Sequence, residues 1–262
     1  QGAAGSSEQR QCFTCHNQAL PIMALALAGA HDFEIDRELL KQQIDHTAAH
    51  LKRGRRAYAN GSGQGGRVLT AGYALWALED GAYARDATTD AVVKFLLGYQ
   101  QDRDHYAHPG QRPPSSGSDF TATYVALRGM EAYADEKVRE QFSRRRETIR
   151  DWLLKTPGQE TEDQGFRLRS LSYAGVEAAP IREAAATLLA AQRDDGGWSQ
   201  HAELKSDPYA TATVLAALLE EGQLTRDAAA ARRATRYLLQ TQQADGSWHV
   251  STRAKGFQAY YE

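Results

Sequence analysis

Three stretches of this chain begin 44 residues apart, at 119, 163 and 207: "DFTATYVAL", "DQGFRLRSL" and "DPYATATVL", each with aspartate first and leucine ninth. A fourth stretch, "TAGYALWAL" at 70 to 78, has the same texture. Ala, Thr, Leu and aromatic residues fall on more than one face of each, as a helix buried on most sides requires. Alternating with them are "DAVVKFLLGYQ" (90 to 100), "IRDWLLKTPGQ" (149 to 159), "REAAATLLAAQ" (182 to 192) and "RATRYLLQTQ" (233 to 242). Here the apolar residues keep to one stripe, such as Val92, Phe95, Leu96 and Tyr99 at i, i+3, i+4, i+7, with charges opposite. The first set reads as inner helices and the second as outer ones. An earlier pair, "NQALPIMALALAGA" and "DRELLKQQIDHTAAHLKRG", brings the expected total to five hairpins. Strand signals are nearly absent, so the expected fold class is all-α.

The outer helices are followed by a recurrent turn: "QRDDGGW" (192 to 198), "QQADGSW" (242 to 248) and a worn copy, "QQDRDHY" (100 to 106). Asp-Gly favours a tight turn because Gly tolerates positive φ and Asp bonds its own backbone. The tryptophan can then close over the turn while its indole N–H finds an acceptor. This combination resembles the Q-x-x-D-G-x-W, or QW, repeat of the squalene–hopene cyclase and terpenoid cyclase/protein prenyltransferase superfamily. It is matched at Gln192, Asp195, Gly196 and Trp198, and again at Gln242, Asp245, Gly246 and Trp248. The resemblance covers about residues 17–262 and implies an α/α toroid whose inner helices line a central cavity. Six hairpins normally close such a ring. With five in view and "RAKGFQAYYE" looking like the approach to a sixth inner helix, the expectation is a fragment or a different closure. The expected organisation is a tether carrying its own motif at 1–16, then the toroid at 17–262.

Activity does not follow from that scaffold. The resembling cyclases protonate an alkene from a D-x-D-D-T-A cluster at the start of an inner helix. The corresponding places here read "SGSDFTATY", "ETEDQGFRL" and "LKSDPYATA", without the supporting carboxylates. Ser118, Ser206 and the aspartates after them read instead as helix N-caps and first-turn anions. A squalene–hopene-cyclase-like isomerase is therefore disfavoured. Prenyltransferase chemistry needs a zinc held late in the fold by Asp, Cys and His, and no cysteine lies beyond Cys15. Tyr73, Trp76, Phe120, Tyr124, Phe166 and Tyr209 could line a cavity for an isoprenoid-like lipid, although aromatics at helical spacing are more often core.

The two cysteines of the chain fall in "QCFTCHNQ", where Cys12, Cys15 and His16 form C-x-x-C-H, the attachment motif of c-type haem. Two thiols one helical turn apart reach both vinyl groups of one porphyrin, and the next imidazole is aimed at the iron. A structural zinc would want four ligands, and no second C-x-x-C completes it. A redox dithiol normally sits in a βαβ setting that this chain lacks. The expected cofactor is therefore one covalent haem c, attached at Cys12 and Cys15 with His16 as proximal iron ligand. For the sixth position Met23, His46, His50, His105, His108, His201 and His249 all remain open.

Lys+Arg 31 against Asp+Glu 33 leaves no field to recruit nucleic acid, and the richest apolar run, "LPIMALALAGA", is too short to span a bilayer. The resemblance of the motif to c-type cytochromes implies export across a bacterial inner membrane. "QGAAGSSEQRQ" suits a tether left after signal-peptide removal, so the expected location is periplasmic or extracellular. The functional expectation is a monohaem electron-transfer protein or redox subunit, partnered by a redox protein or a larger membrane-associated complex. The alternatives are a haem-dependent enzyme or binding protein acting on an apolar ligand in the cavity.

Overall fold

A computed structural model describes residues 2–108, 113, 115–251 and 253. In chain order the helices are α1 (Gly2–Gln9), α2 (Leu20–Ala30), α3 (Arg37–Arg53), α4 (Arg55–Ala59), α5 (Arg67–Asp80) and α6 (Ala87–Gly98). They continue with α7 (Asp119–Tyr133), α8 (Glu136–Lys155), α9 (Thr161–Tyr173), α10 (Ala178–Ala190), α11 (Pro208–Glu220) and α12 (Ala229–Thr241). A π-helical turn, Cys15–Ala19, leads directly into α2. An isolated β bridge joins Trp198 and Asp207, and no described residue lies in a strand. The all-α class holds, and the alternating helices are the material from which an α/α toroid is made.

Local chemistry explains the helix ends. Asp36 caps α3 by accepting the Leu39 N–H at 2.9 Å, while His50, Lys52 and Arg53 occupy the last turn, where the dipole favours cations. Asp86 and Thr89 form a reciprocal capping box at α6. Asp207 accepts the Ala210 N–H at 3.0 Å, and Pro208 supplies a first-turn residue with no N–H to satisfy. Ser118 accepts from Phe120 and Thr121, as expected. Ser206 does not cap: its hydroxyl donates to Asp195 at 2.9 Å and ties the preceding turn, leaving the cap to Asp207.

The chain divides into two compact units. The first comprises 1–103 and 125–146. Its centre is α5, where Val68, Leu69 and the whole run 71–78 are buried, the pattern expected of an inner helix. Gly72 lets α5 approach α7 closely, since a Cβ there would stand 2.5 Å from the Val125 side chain. Arg128 forks onto Glu79 and Asp80, both at 2.7 Å, with its guanidinium 4.7 Å above the Trp76 ring. The expected first inner helix departs from that pattern. In α2 only Ile22 is buried, while Leu20 and Leu27 are 43% and 59% exposed, because α2 packs on α3 and α5 along one side. The stretch expected to be a tether carries α1, joined to α3 by the Gln43 amide donating to Ser7 at 3.1 Å.

The second unit comprises 104–124 and 147–262. Its turn at 192–198 follows the expected chemistry. Gly196 has φ +88°, Trp198 is 1% exposed, and its indole donates to the Leu188 carbonyl at 2.7 Å. The Trp198 N–H is accepted by Thr211 Oγ1, and the Tyr106 N–H by Thr123 Oγ1, so the worn copy keeps the same link from turn to inner helix.

Candidate functional site

The C-x-x-C-H segment is held on α3 by its backbone. His46 Nε2 lies 3.2 Å from the Cys12 carbonyl, and the Arg53 guanidinium donates to the Gln11 carbonyl. Phe13, 6% exposed, packs on the His50 ring with centroids 6.0 Å apart. Positions 46, 50 and 53 recur at i, i+4, i+7, so one face of α3 supplies the whole seat. Burial, reinforced by the Arg53 and His46 charges, pushes His50 down to about 4, so its imidazole is neutral at pH 7. At the other end, Thr14 and Gln18 lock the start of the π turn: the Thr14 N–H donates to Gln18 Oε1 at 2.8 Å, and the Asn17 N–H to Thr14 Oγ1 at 3.2 Å.

What is left facing outward is the chemistry. Cys12 is exposed, Cys15 is half-buried, and neither is in a disulfide. His16 is exposed, with Nδ1 3.7 Å from Cys15 Sγ. The segment is thus fastened through carbonyls and Phe13, and neither thiol is tied up in a disulfide. That donor set fits a haem bound through two thioethers and one imidazole. Among the described residues no group of three or more His, Cys, Asp or Glu is arranged to hold a metal ion.

The candidates for a sixth ligand separate on this geometry. Met23 follows His16 by only seven residues, on α2, which continues directly from the π turn. His46 and His50 serve the seat, on the side to which Phe13 points. His105, in the second unit, stacks on Trp152 at 4.4 Å and donates to Asp104 at 2.7 Å and to Asp119 at 3.2 Å. The Asp119 hydrogen bond raises its pKa above the ordinary histidine value against the opposing effect of burial, with Asp104 assisting. Burial alone would raise Asp119, but hydrogen bonds from His105 and the His108 N–H outweigh it and hold the carboxyl low. His249 is exposed and His201 half-exposed.

The expected cavity aromatics are mostly core. Tyr73, Trp76, Phe120, Tyr124 and Phe166 are each 6% exposed or less, and only Tyr209 is half-buried. Tyr124 packs on both Phe166 and Tyr173 at 5.4 Å.

One residue that sequence reasoning passed over stands beside Tyr209. Glu162, 6% exposed, precedes the aspartate that the repeat pattern picks out. Its Oε1 accepts from Thr121 at 2.8 Å and from Tyr209 at 3.3 Å, and burial pushes its carboxyl up to about 8. No local motif announces it; the repeat register points to Asp163, whose carboxylate accepts from Gln159 and Glu160 N–H and closes the helix start.

Residues 179–257 match the family model of the squalene-hopene cyclase N-terminal domain. The match spans most of α10, all of α11 and α12, and both QW turns, and supports a squalene–hopene cyclase-like helical scaffold. No curated protein matches the chain.

Proposed function

We propose that this chain is an exported monohaem protein of the c type, built on a terpenoid-cyclase-like helical scaffold and serving electron transfer or acting as the redox subunit of a larger complex. One observation carries the reading: the segment is seated on α3 by backbone and Phe13, while Cys12, Cys15 and His16 are left toward solvent. Bound haem supplies reversible one-electron chemistry. Cys12 and Cys15 would hold the porphyrin edge, and His16 would be the proximal ligand. His46, His50 and Arg53 position the segment and keep it from fraying into the solvent. A redox partner protein, or a membrane-associated complex, is the partner this reading calls for; no helix among the described residues is long and apolar enough to cross a membrane. The lipid-binding alternative is weakened by the burial of five of its six aromatics.

The test is expression with export in a host that attaches haem c. The expected result is a Soret band that stays with the denatured chain, a mass increase of one haem, and loss of both in Cys12→Ala/Cys15→Ala. A colourless protein of unmodified mass from such a host rejects the reading and returns the cysteines to dithiol chemistry.

A further inference from the structure

Along α8, Thr148, Asp151, Trp152 and Lys155 recur at i, i+3, i+4 and i+7, so their side chains share one face of the helix. With Thr156 and Asp104 they wall a cleft of about 300 Å³ that lies wholly within the second unit. That is room for a molecule of several heavy atoms.

Two kinds of group in this cleft lack a match. The first is a donor. Trp152 is 8% exposed, with the His105 ring against it at 4.4 Å and the Phe120 ring at 4.5 Å. Its indole N–H has no acceptor among the described residues, although buried indoles ordinarily find one. Trp198 and Trp248, in the same unit, each donate to a carbonyl at 2.7 Å. The second kind is a pair of charges. Asp151 and Lys155 stand four residues apart, the spacing at which Lys41 and Asp45 bond at 2.5 Å on α3. Yet neither Asp151 nor Lys155 forms an ion pair among the described residues. On the loop wall, Asp104 accepts from His105 Nδ1 through Oδ1, at 2.7 Å.

We propose that this cleft binds a small zwitterion, a free α-amino acid, whose ammonium donates to Asp104 and Asp151 and whose carboxylate accepts from Lys155 and the Trp152 indole N–H. The class follows from the mixture of charges. A simple cation would meet the Lys155 ammonium as well as the carboxylates, and a simple anion would meet two carboxylates beside its one cation. An uncharged molecule leaves both signs unanswered. A zwitterion answers both, and its carboxylate supplies the acceptor that the indole lacks. The Thr148 and Thr156 hydroxyls can serve either end, since each both donates and accepts. The proposal is independent of haem.

The experiment uses the full chain with L-alanine and its two halves, ethylamine, which lacks the carboxylate, and propionate, which lacks the ammonium. Binding is followed by ligand-observed NMR at pH 7 and low salt, with each probe taken to about 50 mM because exposed charges hold a ligand weakly. L-Alanine is expected to bind, and each half to bind about tenfold more weakly or less. Asp151→Asn and Lys155→Met are each expected to weaken L-alanine by about tenfold, and Trp152→Phe, which keeps an aromatic ring and removes the N–H, by a few fold. Asp151 and Lys155 are exposed, so both variants are expected to keep the helical circular dichroism of the wild type. Either half binding as tightly as L-alanine, L-alanine binding unchanged by Asp151→Asn or by Lys155→Met, or no detectable L-alanine binding to the wild type each overturns the proposal.

Discussion

Trp198 and Trp248 each donate the indole N–H to a carbonyl ten residues earlier, Leu188 and Leu238, both at 2.7 Å, yet Trp198 is 1% exposed and Trp248 41%. The turns around them share their internal bonds. Gln192 and Gln242 each donate to a glycine carbonyl, of Gly196 and Gly246, at 2.9 Å, and Asp195 and Asp245 each accept the N–H two residues on. What differs is cover. Over the first turn lies α12, whose Ala230 carbonyl accepts from Gln192 and whose Arg233 backbone would touch any Cβ at Gly196.

The same indole hydrogen bond under different cover predicts unequal mutational costs. Trp198→Ala is expected to destabilise the chain by about 3–5 kcal/mol, the range for emptying a buried aromatic site. Trp248→Ala should cost about 1 kcal/mol, the worth of its hydrogen bond and a partly wet ring. Urea titration followed by circular dichroism measures both, and equal losses would contradict the difference in cover.

The periodic elements were legible because period and turn chemistry are local properties. The 44-residue spacing, the Asp-Gly turns and the caps at Ser118 and Asp207 all act within a few residues, and each was found where expected. The seat under Cys12 was not legible. His46 and Arg53 reach 34 and 42 residues back to main-chain carbonyls, which every residue possesses and no pattern marks. Glu162 was hidden for a related reason: its partners lie 41 and 47 residues away, and the repeat register draws the eye to Asp163. The apolar sequence of α2 suggested an all-round buried helix, but composition does not say how many neighbours a helix at the edge of a unit will find.

His50 makes the seat sensitive to acid. Its folded pKa of about 4 lies below the ordinary value of 6.5, so between these limits the unfolded chain binds more protons than the folded one. The stability due to a neutral His50 is complete above about 6.5 and is lost as pH falls toward 4. The urea midpoint of the haem-free protein is expected to fall as pH drops through this window. His50→Phe, which keeps the packing against Phe13 without the titration, should flatten that profile.

Glu162 acts in the opposite sense. Its folded pKa of about 8 exceeds the ordinary 4.5, so the folded state holds the proton longer, and stability falls as pH rises from 4.5 through 8. Glu162→Gln keeps the shape and cannot ionise. It is expected to gain about 1–3 kcal/mol over the wild type at pH 8 and little at pH 4, as read from urea midpoints at the two values. A variant less stable than the wild type at both would mean that Thr121 and Tyr209 cannot accommodate the amide.

In the first unit the approach of two helices rests on Gly72. A Cβ at that position would meet Val125 at 2.5 Å on Cγ2 and 2.7 Å on its carbonyl carbon, and the second contact is backbone, which no rotamer change relieves. Helix propensity favours alanine over glycine by about 1 kcal/mol, so an open site would be stabilised by the exchange. Here overpacking should dominate, with Gly72→Ala destabilising by about 1–3 kcal/mol in thermal or urea unfolding. The double variant Gly72→Ala/Val125→Ala removes Cγ2 but leaves the backbone contact. It is therefore expected to recover only part of the loss, and full recovery would show that the side chain alone sets the distance between α5 and α7.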